Sequence, residues 1–118
     1  MDDEVVIRDT IAKMLTSFGY TVAVCENGNE AVNYFVEEYR KGQNIAGLLL
    51  DLTVPGGMGG KEAARLIRDH DRTVPVYVVS GYAEDPIMAN PAAYGFTGSI
   101  CKPFRKSDLA ELLNRRVP

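Results

Sequence analysis

Apolar positions along the chain switch repeatedly between helical and strand spacing. Ile7, Ile11, Met14, Leu15 and Phe18 lay one apolar stripe along a first helix, which Gly19 ends. Residues 20–25, Tyr-Thr-Val-Ala-Val-Cys, are rich in β-branched side chains and predict a strand. Asn27 with Glu30 opens a second helix in capping-box fashion, running to about Arg40 with Ala31, Val32 and Phe35 inward. Beyond Gly42, residues 47–51 (Gly-Leu-Leu-Leu-Asp) form an apolar run suited to a strand buried on both faces. A third helix turns Ala63, Ala64, Leu66 and Ile67 inward, and residues 75–80 (Pro-Val-Tyr-Val-Val-Ser) predict another buried strand. Asp85-Pro86 starts a fourth helix that Pro91 keeps short, kinked or broken into two turns. Residues 98–101 predict a last short strand before Lys102-Pro103. Ser107 then caps a final helix with Leu109, Leu112 and Leu113 inward and Arg115-Arg116 at its C-terminal end.

Strands alternating with helices imply an α/β domain with a parallel sheet covered on both faces. At 118 residues the chain is one domain with one core. One defect stands out: a strand should precede Asp2, and only Met1 is there. A net charge of −3 gives no nucleic-acid footprint, and no apolar run approaches the ~18 residues of a membrane span. Without a charged-then-apolar leader, the expected location is cytoplasmic. Cys25 and Cys101 lie in apolar contexts and read as buried free thiols rather than a disulfide. His70 has no partner at metal-ligand spacing and reads as a surface residue near a helix end.

Four polar features fall at strand or near-strand ends: Asp2-Asp3, Asp51, Ser80 and Lys102. Open α/β sheets gather such ends on one edge, so these side chains can converge. Each has a plain alternative: Asp2-Asp3 as a helix cap, Asp51 and Ser80 as turn residues, Lys102 as a solvated lysine. Together they point to chemistry. Clustered carboxylates repel one another unless a cation joins them, and Mg²⁺ takes a few carboxylates with water and phosphate oxygens. A hydroxyl and a lysine add a hydrogen bond and a point charge for an incoming phosphoryl group. The Asp51 carboxylate would then be the nucleophile, forming an acyl phosphate.

The pieces Met1-Asp2-Asp3-Glu4, Leu48-Leu49-Leu50-Asp51, Val78-Val79-Ser80-Gly81 and Cys101-Lys102-Pro103-Phe104 resemble, in order and spacing, the receiver domain of two-component response regulators. The runs following Asp51 and Ser80 are most similar to receivers of hybrid sensor histidine kinases. The resemblance implies a flavodoxin-like, doubly wound, five-stranded parallel sheet of order 2-1-3-4-5 with five helices. It implies a phosphoacceptor switch in a phosphorelay, not a metabolic enzyme, with its own phosphorylation and slow dephosphorylation activity. Asp51 would accept phosphate from a phosphohistidine on a sensor histidine kinase or a histidine phosphotransfer protein. Asp3, Asp51 and the Thr53 carbonyl would bind Mg²⁺, with Asp2 acting mainly through water. Ser80 and Lys102 would contact the phosphoryl oxygens, and the Lys102-Pro103 bond would be cis.

This chain departs from the family in two places. The first strand, central in the family sheet, is truncated: either the chain starts at an internal methionine, or its sheet is destabilised or completed by another chain as a homodimer, strand-swapped oligomer or added strand. Ser99 stands where many receivers carry an aromatic three residues before the lysine, which shifts the expected readout to the Ser80-Gly81 loop and the region from Asp85 to Tyr94. Residues 1–118 are expected to form a single receiver domain with no output region after Arg116 in this sequence, so output is expected through protein contact or through a part of a longer chain. Two other readings compete. A haloacid-dehalogenase-type phosphatase needs a second Asp two residues after the nucleophile, where Thr53 stands. A pseudo-receiver that only binds a partner would not need every acidic, hydroxyl and lysine position filled.

Overall fold

The computed structural model describes residues 1–114, so Arg115 and Arg116 lie outside the described residues. Three strands, β1 (Leu48–Asp51), β2 (Val76–Ser80) and β3 (Gly98–Cys101), form a parallel sheet in the order β1-β2-β3. Leu50 lies opposite Val78 and Asp51 opposite Val79, while Ser80 lies opposite Cys101. This register brings Asp51 and Ser80 to one end of the sheet, with Lys102 directly after β3.

Five α-helices flank the strands: α1 (Val5–Ser17), α2 (Gly28–Arg40), α3 (Gly60–His70), α4 (Pro86–Ala89) and α5 (Lys106–Asn114). Strand alternation divides the core in two. Leu50, Val76 and Val78 pack on one face with Ala31 and Phe35 of α2 and Ala63, Ala64 and Ile67 of α3. Tyr77, Val79 and Ile100 pack on the other with Leu109 and Leu112 of α5, joined by Met14, Leu15 and Phe18. Burying a Val or Ile of this kind stabilises the fold by about 1.5–3 kcal/mol.

Local signals act as the sequence implies. Asn27 Oδ1 accepts the Glu30 N–H at 3.0 Å, and Asp85 Oδ1 accepts the Ile87 N–H at 2.9 Å. Pro91 breaks the region after Asp85 into α4 and a separate 3₁₀ turn, Pro91–Tyr94. His70 is exposed at the end of α3. Ser107 does not cap α5: the helix begins at Lys106, and Asp108 Oδ2 accepts the Arg105 N–H at 2.8 Å instead. Both cysteines are free, but Cys101 is exposed, because the strand alternation that turns Ile100 inward turns its neighbour out.

The sheet is the main correction to the sequence reading. Five strands in the order 2-1-3-4-5 were expected, and three are formed among the described residues. Residues 20–25 have strand composition but are not a strand. Among the described residues, their only ladder-like bond to the sheet side is from the Asp2 N–H to the Cys25 carbonyl, 3.1 Å. The physical reason is the missing neighbour. A strand exists through its hydrogen-bonded partner, and residues 1–2 alone stand between residues 20–25 and β1. The same gap explains α1, whose apolar stripe is only half-buried and which contains no buried residue.

The turn after β1 leaves no room for side chains at the start of α3. A Cβ on Gly60 would sit 2.8 Å from the Asp51 carbonyl oxygen and 3.2 Å from Leu50 Cβ, whereas one on Gly81 meets nothing within 4 Å. Gly60→Ala should therefore lower stability by about 1–3 kcal/mol in urea unfolding, while Gly81→Ala should leave the midpoint nearly unchanged. Equal midpoints for the two variants would contradict this packing.

Candidate functional site

The end of β1 delivers Asp51 into a buried position, 5% exposed, and the chain entering α1 delivers Asp2 beside it, 2% exposed. Asp2 is held from several sides. Its N–H donates to the Cys25 carbonyl, its Oδ1 accepts the Glu4 N–H at 2.9 Å, and Arg8 Nη1 donates to its carbonyl at 3.0 Å. Asp2 does not cap α1, whose N-cap is Glu4 with no side-chain cap bond; its Oδ1 makes a turn with the Glu4 N–H just ahead of the helix. Met1 ties this segment to β1: its ammonium donates to the Leu49 carbonyl at 2.7 Å, and its carbonyl accepts the Asp51 N–H at 3.0 Å.

Lys102 reaches both acids from the end of β3. Its Nζ lies 2.9 Å from Asp2 Oδ2 and 3.4 Å from Asp51 Oδ1. Apart from this ammonium, Asp2 Oδ2 is buried and has no hydrogen-bond partner. Burial alone would favour neutral Lys102, but its hydrogen bond to Asp2 and the charges of Asp51 and Asp2 outweigh that and lift its pKa above the ordinary value. Asp51 moves the other way from a typical paired carboxylate. Burial raises its pKa to about 6; Lys102 opposes the rise, Asp2 adds to it, and the Thr53 backbone N–H opposes it.

The sequence-derived residues therefore meet. Carboxylate oxygens of Asp2, Asp3 and Asp51 lie within 4.8 Å of one another, with Asp3 exposed at the mouth. Ser80 is buried at the end of β2, where its Oγ accepts the Tyr82 N–H at 3.0 Å. The Lys102-Pro103 bond is cis. Sequence reasoning missed Arg8 and the Met1 amine. Both act on the backbone of the acidic segment, and no residue pattern announces such contacts.

These donors suit a hard divalent ion. Three carboxylates converge, one is exposed for ready exchange, and a buried carboxylate oxygen has only a lysine to satisfy it. The lysine already in place shows that the pocket requires positive charge.

A parallel α/β sheet with acids, a hydroxyl and a lysine gathered at its strand ends defines a phosphoryl-handling or metal-binding switch class. The particular family follows from comparison: the chain belongs to the response regulator receiver domain family, whose model matches residues 1–114, and it is thus a phosphoacceptor domain of two-component signalling. It is 30% identical over 115 residues to the transcriptional regulatory protein FixJ of Rhizobium meliloti, covering 98% of this chain and 53% of that protein. It is also 30% identical over 113 residues to the alkaline phosphatase synthesis transcriptional regulatory protein SphR of Synechococcus elongatus, covering 92% of this chain and 44% of that one. The chain thus spans about half the length of these relatives or less. Among solved structures it is similar to the receiver domain of sensor histidine kinase PA1611 from Pseudomonas aeruginosa, described with magnesium coordinated in its active-site cleft. That match has a TM-score of 0.82 and 28% identity, covering 98% of this chain and 91% of the other. No helix among the described residues is long and apolar enough to cross a membrane.

A carboxyl held at a pKa of about 6 against an ordinary 3.8 makes the folded state bind more protons than the unfolded one between those values. The stability associated with protonated Asp51 is complete below about 3.8 and is lost as pH rises through about 6. Metal-free Asp51→Asn should consequently be more stable than wild type at pH 8, on the order of 2–3 kcal/mol, with the difference shrinking toward pH 4. Thermal melts in chelator across that range would show it. A variant less stable than wild type at pH 8 would contradict the assignment.

Proposed function

We propose that Asp51 is the phosphoacceptor, receiving a phosphoryl group from a phosphohistidine of a sensor histidine kinase or histidine phosphotransfer protein. The observation that carries this reading is the buried pairing of Asp51 with both Asp2 and Lys102 at the strand ends. An Asp51 carboxylate oxygen forms the new O–P bond as the P–N bond to the donor imidazole breaks, the electron pair remaining on nitrogen. Lys102 can turn from the acids to an incoming phosphoryl oxygen, and the Ser80 hydroxyl can exchange the Tyr82 N–H for a bond it donates to another. Asp3, Asp51 and the Thr53 carbonyl would hold Mg²⁺, with Asp2 acting mainly through water; the ion supplies charge neutralisation for the transferring group. The domain would catalyse its own phosphorylation and slow dephosphorylation, and would act in the cytoplasm through protein contact.

On this reading the three observed strands are the third, fourth and fifth of a sheet of order 2-1-3-4-5, with residues 1–2 and 20–25 marking the first and second. Homodimerisation or strand swapping would be one route to completing it. Ser99 supports a readout through the region after Ser80. Its hydroxyl donates to the Met88 carbonyl at 2.9 Å, joining β3 to α4 where an aromatic side chain was not available.

Acetyl phosphate with Mg²⁺ should add one phosphoryl mass to wild type and none to Asp51→Asn. Phosphorylation of Asp51→Asn at the wild-type level would overturn the assignment. Asp3→Ala should fold normally, because Asp3 is exposed, yet bind Mg²⁺ roughly tenfold or more weakly. For wild type, Mg²⁺ affinity should fall as pH drops through about 6, because protonation of Asp51 removes a ligand. Titrations at pH 5 and pH 8 that gave equal affinities would contradict a direct role for Asp51.

A further inference from the structure

Helix α3 carries a row of cations along one side. Lys61, Arg65 and Arg68 follow one another four and three residues apart, the spacing that stacks side chains on one face of a helix. With Arg72, just past the helix end, they line a groove of about 830 Å³ whose far side is formed by Tyr94 and Gly95, at the end of the 3₁₀ turn. Glu62 and Asp69 lie in the same groove. Four cations thus face two carboxylates, on a chain whose net charge is −3.

Helix stability does not account for this row. A helix C-terminus favours cations, which suits Arg68, but Lys61 sits in the first turn, where the macrodipole opposes it. Its ammonium lies 5.5 Å from the centre of the Tyr94 ring, reaching across the groove. Arg65 pairs with Glu62 at 3.1 Å, yet both side chains are more than half exposed, and such a pair exchanges readily for another. Arg68 is held in place. Its Nε donates to the Gly95 carbonyl at 2.8 Å, and its Nη1 donates to the carbonyls of Asp71 at 3.2 Å and Val74 at 2.6 Å. Those bonds leave its Nη2 without a hydrogen-bond partner among the described residues.

We propose that this groove docks an acidic helix of a protein partner, with carboxylates spaced to meet Lys61, Arg65 and Arg68 and an apolar residue against Tyr94. Two helices of equal period can set carboxylates opposite cations over about 10 Å of axis. A nucleic acid fits less well, because Glu62 and Asp69 repel a phosphate chain and the rest of the molecule is acidic. Docking needs no phosphate on Asp51, since the cations belong to α3 and its end.

The test uses the full chain and the end-blocked peptide Glu-Ala-Ala-Leu-Glu-Ala-Ala-Glu-Ala-Ala-Leu-Glu, with a control of the same composition whose glutamates are consecutive. Saturable binding that weakens as salt rises is expected, with shifted amide resonances for Arg65 and Tyr94. The control peptide should bind several-fold more weakly. Arg65→Glu should weaken binding roughly threefold to tenfold without lowering the melting temperature. Arg72→Glu, outside the helix, should also weaken it and serves where Arg65→Glu disturbs folding. Lys13→Glu makes the same change of charge on exposed α1, across the sheet from α3, and should leave binding unaltered. Asp51→Asn should bind as wild type does, so this docking and the phosphoacceptor reading stand or fall separately. The proposal is overturned if the peptide leaves Arg65 and Tyr94 unshifted, if the control peptide binds equally well, or if Lys13→Glu weakens binding as much as Arg65→Glu. A single-stranded oligonucleotide that binds the same residues more tightly than the peptide would also overturn it, assigning the groove to nucleic acid.

Discussion

One ammonium between two buried carboxylates governs this molecule. Lys102 approaches Asp2 and Asp51 from the end of β3, while the acids come from opposite ends of the first half of the chain. Two negative groups this close, and this dry, could not both ionise without a cation among them. The sheet supplies one from its own sequence. Because Lys102 serves two acids, it does not satisfy either fully: one Asp2 oxygen has no other partner and the Asp51 pKa stays high. The ionised site therefore costs stability as it stands, and on the proposed reading a second cation would relieve that cost and a phosphoryl group would draw the lysine away.

The fold puts that chemistry at strand ends through ordinary means. Fully buried valines fix β2 in the middle of the three strands, and the parallel register then sets Asp51, Ser80 and Lys102 at one edge. Glycine at the β1–α3 turn lets the helix backbone approach the Asp51 carbonyl closely. On the other side, order is weaker. Residues 1–2 carry the connection between β1 and residues 20–25 by three backbone bonds, and α1 packs half-exposed against the space beside them.

Much of this was legible in the residues. The apolar runs ending in Asp51 and Ser80 predicted both strands and put a buried polar residue at the end of each, because a period-free apolar stretch followed by Gly or Pro has few other outcomes. Asp85-Pro86 and Asn27 likewise acted through local hydrogen bonds that need no distant partner. Residues 20–25 show the limit: β-branched composition describes a willingness to pair, and pairing depends on a neighbour that composition cannot supply. Cys101 and Ser107 failed for smaller reasons. The first turns on which face of β3 an end residue takes, and the second on a competing carboxylate one position later. Arg8 was illegible because it serves a backbone carbonyl, which any donor within reach could have done.

The central claim is that a shared lysine leaves Asp51 under-neutralised until a divalent ion arrives. Direct titration of the Asp51 side-chain carbon by NMR, with and without Mg²⁺, measures this. The account predicts a midpoint near pH 6 in chelator and one displaced well toward acid when Mg²⁺ is added. A midpoint at the ordinary carboxylate value in chelator, unmoved by Mg²⁺, would contradict it.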